Sequence, residues 1–138
     1  MRVHASCVAI GGRGVLLFGP SGAGKSDLAL RLIDEGASLV SDDYTELDAR
    51  GGALRARAPD TIWGKMEVRG IGILSMTPLD DAPVVLAVDL GAPAERMPER
   101  ATRTLLDVAI PLVTIDARSP SASAKVRVAL SQFVSAPR

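Results

Sequence analysis

Aromatic side chains are scarce in this 138-residue chain: phenylalanine, tyrosine and tryptophan make up 3% of it, against 47% for all hydrophobic residues. The core must therefore be aliphatic and alanine-rich. The single cysteine, Cys7, excludes an internal disulfide and suits a reducing cytosol, and its simplest interpretation is a small buried apolar residue. The length is that of one domain, predicted over residues 1–138, which buries roughly 67% of its surface without covalent staples.

Excess charge of either sign is also missing, because sixteen Lys and Arg balance sixteen Asp and Glu. This balance removes the bulk cationic attraction on which non-specific nucleic-acid binding depends, so no nucleic-acid partner is predicted. Charge-free runs are far shorter than the roughly 20 residues of a membrane helix, and the start at Arg2 lacks a signal-peptide core. We therefore expect a soluble, cytoplasmic protein with no membrane association.

Short apolar runs alternate with glycine turns in an order that predicts an α/β fold. Residues 3–10 and 15–18 are predicted strands joined by a tight turn, and a glycine-rich loop then leads into a helix over residues 27–35, with Gly36 as its C-cap. The sequence does not decide whether residues 70–74 form a helix or a strand. Further strands or extended segments are predicted at residues 38–41, 44–47, 53–58, 84–90 and 108–115.

The chain ends in a predicted amphipathic helix, because Ser119 and Pro120 form a good N-cap and first-turn pair. Apolar residues follow at helical spacing, namely Ala122, Val126, Ala129, Leu130 and Phe133. Acidic residues are missing from Arg118 onward, whereas Lys125, Arg127 and Arg138 are present. This basic end is either an ordinary solvated face or a surface for an acidic or phosphorylated partner.

One segment satisfies the phosphate-loop motif G-x-x-x-x-G-K-[ST] at every defined position, between a predicted strand and a predicted helix. It reads Gly19-Pro20-Ser21-Gly22-Ala23-Gly24-Lys25-Ser26. Glycines allow the backbone N–H groups and the positive end of the helix dipole to face an anion. Lys25 then reaches the β and γ phosphates and the Ser26 hydroxyl is available to Mg²⁺. The alternative is a glycine turn with an incidental lysine.

Two adjacent acids, Asp42 and Asp43, end the strand that follows the predicted loop and helix. An α/β sheet places such side chains in the crevice at its carboxyl edge, where they would face the γ phosphate. Phosphoryl transfer needs one carboxylate to deprotonate the attacking hydroxyl and others to hold metal, so the pair is suited to both tasks. A polar turn is the alternative, and Asp89, at the end of another predicted strand, is the rival for metal support.

Three further residues carry weaker signals. Glu67 stands with glycines in an otherwise apolar segment, a composition typical of a loop that closes near a charged ligand. His4 is the only histidine and is either a core or surface residue or a catalytic one. Arg96 is most simply a solvent-facing loop residue.

Four segments together resemble, in order and spacing, the catalytic domain of HPr kinase/phosphorylase. They are H-A-S-C-V-A-I from His4, the loop from Gly19 to Ser26, L-V-S-D-D ending at Asp43, and E-V-R-G-I-G-I from Glu67. The match covers most of the chain through Met76. The resemblance implies a P-loop fold related to that of phosphoenolpyruvate carboxykinase, with a mixed sheet and flanking helices. It also implies an enzyme that uses ATP to phosphorylate a serine of HPr, a homo-oligomer, usually a hexamer, and in many members a phosphate-dependent reversal that releases pyrophosphate.

The resemblance also implies roles for particular residues. Asp43 would be the base of the forward reaction and the acid of the reverse one, with His4 beside it, while Lys25 would neutralise the transferring phosphoryl group. Ser26 and Glu67 would hold Mg²⁺, with Asp42 as a further metal-site acid, and Arg96 aligns with an arginine that contacts phosphate.

This sequence departs from the family pattern in two ways. The N-terminal regulatory domain of the longer enzymes is missing from it, and no match exists for the late basic segment associated with dephosphorylation, where only Ile110-Pro111-Leu112 is similar. The kinase prediction is therefore better supported than the phosphorylase one. The alternatives are a small-molecule P-loop kinase and a non-enzymatic ATP-responsive regulator.

Overall fold

The computed structural model of the chain describes residues 1–134, so Arg138 of the predicted basic end lies outside the described residues. The described residues form two α-helices, α1 (Lys25–Asp34) and α2 (Ala122–Phe133), and a 3-10 turn spans Asp60–Ile62. The strands are β1 (Arg2–Val3), β2 (Ala5–Ile10), β3 (Arg13–Phe18), β4 (Ser38–Ser41), β5 (Thr45–Arg50), β6 (Ala53–Arg57), β7 (Lys65–Val68), β8 (Gly72–Ser75), β9 (Ala82–Asp89), β10 (Ala101–Leu105) and β11 (Val108–Thr114). Neither described helix is long and apolar enough to cross a membrane.

Nine of the strands in residues 1–134 form one mixed sheet, as predicted. Its main path runs β1-β5-β6-β9-β3-β2-β4, while β11 pairs with β9 and carries β10 at its outer side. The β3–β9 and β9–β11 pairs are parallel and the others are antiparallel. β7 and β8 form a separate antiparallel hairpin.

Strand β9 is shared between the two branches of this sheet. Its first residues, Ala82 and Pro83, pair with β6, and its last three pair with β11. On its other side it pairs with β3 from Val84 to Asp89. Side chains of β9 alternate between the two faces, so the strand contributes to the cores on both sides.

Two apolar cores lie on opposite faces of the central strands. One contains the buried faces of both helices and of the β7–β8 hairpin against Val15, Leu17 and Val88. The other packs Leu16 and Ala87 against the strands of the β1-β5-β6 branch, with no residue of either helix. Both helices therefore cover the same face of the sheet, and the aliphatic composition expected of the core is confirmed.

Most predicted elements are confirmed, and β4 has the bounds that the sequence predicts. Residues 70–74, whose secondary structure the sequence left undecided, form part of the turn and most of the second strand of the β7–β8 hairpin. The prediction for the start of α2 is wrong, because its N-cap is Ser121 rather than Ser119. Ser119 instead belongs to a preceding turn, where its hydroxyl accepts the Ser121 N–H at 3.3 Å. The C-cap of α1 is Glu35, one residue before the predicted Gly36.

Candidate active site

The glycine loop lies where the sequence predicts it, between the end of β3 and the start of α1. Its last glycine, Gly24, is the N-cap of α1 and has no side chain to bond the N–H groups of the first helical turn. Those donors and the positive end of the helix dipole are consequently available to an anion. The observed order of strand, loop and helix is the structural context that the G-x-x-x-x-G-K-[ST] motif requires.

Lys25 begins α1 and is buried beneath the loop that precedes it. Its Nζ donates to the carbonyl oxygen of Gly19 at 2.6 Å and to that of Pro20 at 3.2 Å. An ammonium group has three N–H donors, so one remains beyond these two bonds. The lysine therefore puts a positive charge at the base of the loop.

The loop is also packed from outside by two neighbouring segments. A Cβ added to Gly24 would lie 2.8 Å from the Cβ of Ala117, and one added to Gly91 would lie 2.8 Å from Cδ of Pro20. Asp89 fixes the second segment, since its Oδ1 accepts the N–H groups of Gly91 at 2.7 Å and Ala92 at 3.3 Å. Asp89, the alternative metal-site acid, is thus close to the start of the loop, but its carboxylate accepts hydrogen bonds from the backbone of the turn that follows it.

Asp42 joins three of the predicted site segments through its carboxylate. The Ser26 hydroxyl donates to Oδ1 at 2.8 Å, the Ser6 hydroxyl donates to the same atom at 3.2 Å, and the Glu67 backbone N–H donates to Oδ2 at 3.2 Å. The side chain is buried. Since buried charges require hydrogen-bond partners, these three donors explain how a carboxylate is tolerated there.

Asp43 points the other way although it is the next residue. Its backbone has φ 69°, in the left-handed region that few non-glycine residues adopt. Its Oδ1 lies 2.8 Å from Nε2 of His4, and the His4 ring stacks on Tyr44 with centroids 4.9 Å apart. Half of the Asp43 side chain is exposed to solvent, whereas Asp42 is buried.

Glu67 and Arg96 differ in how far the structure connects them to the loop. Glu67 lies on β7, and its backbone N–H bonds to the same Asp42 carboxylate that accepts the Ser26 hydroxyl, while its side chain is exposed. Arg96 lies in the exposed segment 91–100 and, among the described residues, makes no hydrogen bond or ion pair. Its predicted phosphate contact stays a prediction.

Two residues at this site were not singled out by sequence reasoning. Ser6 is fully buried in β2 between the two acids, and Tyr44 is the stacking partner of His4. The only sequence signal for Ser6 is a hydroxyl within an otherwise apolar strand, since its partners are more than 30 residues away. Tyr44 follows Asp43 directly and is the only tyrosine.

The residues around Ser26 fit a magnesium ion. Within residues 1–134 no three His, Cys, Asp or Glu side chains form a metal-binding group. Mg²⁺ is nonetheless usually held by one or two carboxylates together with waters and substrate phosphates, and oxygen is its preferred ligand atom. Ser26 donates its proton to Asp42, which leaves the Ser26 oxygen lone pairs available to a cation.

The chain is thus an α/β protein with a glycine-rich loop between a strand and a helix, and with two adjacent acids whose side chains point in different directions. Comparison with known proteins gives the family: residues 1–134 match the family model for the HPr serine kinase C-terminal domain. The chain therefore belongs to the family of the HPr serine kinase C-terminal domain, and the predicted resemblance is confirmed.

Individual relatives agree with this assignment. The chain is 34% identical over 131 residues to the HPr kinase/phosphorylase of Brevibacillus brevis, covering 84% of this chain and 42% of the relative. It is 44% identical over 78 residues to that of Clostridium beijerinckii, covering 56% of this chain and 26% of the relative. The chain thus spans less than half the length of these two relatives.

A solved structure supports the fold. It is described as the HPr(Ser) kinase/phosphatase from Coxiella burnetii and superposes with a TM-score of 0.83 at 24% identity. The match covers 96% of this chain and 95% of that chain. At this identity the likeness shows a shared fold, with the mixed sheet and the helices.

Proposed function

We propose that this chain transfers the γ-phosphoryl group of ATP to a serine hydroxyl of the phosphocarrier protein HPr. The observation that carries the proposal is the division of the two adjacent acids. Asp42 faces inward onto Ser26, and Asp43 faces outward onto His4 and solvent. A phosphoryl-transfer site needs both a carboxylate for the metal and an accessible one for the acceptor hydroxyl.

The loop supplies the nucleotide site in this proposal. The backbone N–H groups of the loop, apart from that of Ala23, which bonds to the Pro20 carbonyl, bind the phosphates together with those at the start of α1. The Lys25 ammonium neutralises the charge that develops on the transferring group. Ser26, together with the acids Asp42 and Glu67, would hold Mg²⁺, which would supply charge neutralisation to the phosphates.

Asp43 acts as the base toward the acceptor. Its carboxylate takes the proton of the attacking serine hydroxyl while the serine oxygen bonds to the γ phosphorus and the bond from that phosphorus to the bridging oxygen breaks, releasing ADP. His4, at 2.8 Å, holds the orientation of Asp43. A positioned base of this kind contributes about 10²- to 10⁴-fold to the rate.

The reverse reaction uses the same groups with inorganic phosphate as the acceptor. A phosphate oxygen attacks the phosphorus of phosphoserine, the serine oxygen leaves with the proton held on Asp43, and pyrophosphate forms. Arg96 is the residue we propose as an additional phosphate contact.

Mass spectrometry of HPr tests the proposal. After incubation with the chain, ATP and Mg²⁺, HPr should gain one phosphate on a serine, and added phosphate should remove it with formation of pyrophosphate. HPr that stays unmodified while a small metabolite in the same mixture is phosphorylated would show a metabolite kinase instead. Nucleotide binding with no phosphorylated product would show a regulator.

A matched pair of variants tests the base. Asp43→Asn removes the proton acceptor, and Asn tolerates the left-handed backbone at φ 69°. Asp107→Asn is the control, because Asp107 has a similar φ of 64° in the β10–β11 turn. We expect Asp43→Asn to lower kcat by about 10²- to 10⁴-fold with nucleotide binding retained, and Asp107→Asn to leave kcat unchanged. Equal activity of the two variants would exclude Asp43 as the base.

We also propose that the chain functions as a homo-oligomer, a hexamer by family resemblance, in the cytoplasm. Light scattering coupled to size exclusion measures the assembly directly, and a monomer at micromolar concentration would contradict it.

A further inference from the structure

Ser6 occupies an unusual position between the two acids of the site. It is fully buried on β2, and its hydroxyl donates to Asp42 Oδ1 at 3.2 Å while accepting the backbone N–H of Asp43 at 2.9 Å. A hydroxyl has one donor and two lone pairs, so it makes both bonds at once. One side chain thus contacts two consecutive residues that lie more than 30 positions further along the chain.

The first bond sets the direction of the Asp42 carboxylate. Ser6 and Ser26 both donate to Oδ1, while Oδ2 accepts the Glu67 N–H. Rotation of the carboxylate would break bonds on both oxygens. Ser6 approaches from the sheet and Ser26 from helix α1, so the carboxylate is held between two rigid elements.

The second bond acts on the backbone of Asp43. A non-glycine residue at positive φ persists only where its surroundings hold it. Ser6 holds the N–H of Asp43, and the Tyr44 N–H donates to the Asp42 carbonyl at 2.8 Å, which closes the turn. This turn directs the Asp43 side chain toward His4.

We infer that Ser6 is a positioning residue, which divides the two acids by fixing the Asp42 carboxylate toward Ser26 and the Asp43 carboxylate toward the acceptor. The inference rests on the proposed function, in which the two acids have different roles. Ser6 is fully buried, so it is out of reach of a substrate and acts through the residues to which it is bonded.

Three variants separate positioning from a general structural role. Ser6→Ala removes the hydroxyl, and Ser6→Thr restores it. The control, Ser123→Ala, removes another buried hydroxyl, which lies on helix α2 and donates to Glu35 at 3.3 Å. For each variant, kcat, the KM for ATP and the Mg²⁺ concentration giving half-maximal phosphorylation of HPr are measured. The ring-proton NMR signals of His4, the only histidine, report its contact with Asp43 without any need for activity.

We expect Ser6→Ala to lower kcat and to raise the Mg²⁺ requirement, each by about 10- to 100-fold, because residues that orient metal-site groups have effects of that size. The KM for ATP should change little, since the loop is untouched. The His4 signals should shift in Ser6→Ala and return toward the wild-type positions in Ser6→Thr. Ser123→Ala should behave as wild type in every measurement.

Two results would overturn the inference: wild-type kcat and His4 signals in Ser6→Ala, or equal losses in Ser6→Ala and Ser123→Ala. Should Ser6→Ala not fold, Ser6→Cys, which has a weak S–H donor, takes its place with the same expectations. A wild-type chain that leaves HPr unphosphorylated would refute the proposed function instead. The His4 signals alone then decide whether Ser6 positions Asp43, and unchanged signals would refute it.

Discussion

The two inner glycines of the loop allow a quantitative test of how the site is packed. Gly22 has φ 87° and Gly24 has φ 94°, so an alanine at either position is strained by its backbone. An added Cβ meets nothing within 4 Å at Gly22, whereas at Gly24 it lies 2.8 Å from the Cβ of Ala117. The pair therefore separates backbone strain from steric overlap.

The expected magnitudes follow from these two terms. A non-glycine residue in left-handed backbone costs about 1–2 kcal/mol, and overpacking of a buried contact costs about 1–3 kcal/mol. Gly22→Ala should thus lower the free energy of unfolding by about 1–2 kcal/mol, and Gly24→Ala should lower it by about 2–5 kcal/mol. Urea unfolding followed by circular dichroism measures both.

A second-site change then removes only the steric term. Ala117→Gly deletes the atom that the new Cβ would meet, so it should restore about 1–3 kcal/mol to Gly24→Ala and nothing to Gly22→Ala. The single Ala117→Gly variant completes the double-mutant cycle and accounts for its own cost. Equal destabilisation by the two alanines, or a coupling energy near zero between positions 24 and 117, would refute the reasoning.

Three further predictions concern the rest of the fold. The Arg127 guanidinium, hydrogen-bonded to Glu35, holds the pKa of Glu35 below its ordinary value of 4.5, so this stabilisation is present above pH 4.5 and is lost as the pH falls through the lowered pKa. The unfolding midpoint of Arg127→Gln should therefore converge on that of wild type in acid, and a constant difference down to pH 2 would contradict this. Burial raises the pKa of the Cys7 thiol to about 12, so a disulfide reagent at pH 8 should label it only after denaturation, and rapid labelling of the native protein would contradict the buried position. On α2, Leu130→Ala should cost about 2–5 kcal/mol and the exposed Val128→Ala about 0.5 kcal/mol or less in urea unfolding, and similar values for both would contradict the packing of this helix.

Local patterns in the sequence were sufficient to predict many of the strands and helices. Strand β4 and helix α1 follow directly from apolar spacing bounded by glycine and acidic residues. Strand β10 was not predicted, because residues 101–105 are mostly polar and exposed and the strand forms by pairing with β11. The sequence did not decide whether residues 70–74, in the β7–β8 hairpin, form a helix or a strand. The isoleucines at 71 and 73 are exposed, so their spacing does not mark a buried face.

In the candidate site too, local sequence predicts the residue types but not the contacts between residues that are distant in the chain. The loop motif and the Asp42–Asp43 pair are contiguous in sequence, so their residue types were visible without a structure. Local sequence pattern did not show which acid turns inward, and only the family resemblance gave Asp42 and Asp43 different roles. The direction of each side chain depends on Ser6, more than 30 residues earlier, and on the positive φ of Asp43. Tyr44 could likewise be placed on the His4 ring only after the strands were paired.

The shared strand β9 has a consequence for how the molecule unfolds. It bonds to β3, β6 and β11 and supplies side chains to both apolar cores, so we expect the two cores to unfold together. The amides of β9 should consequently exchange with deuterium only through global opening of the sheet, at the same free energy for the residues that face either core.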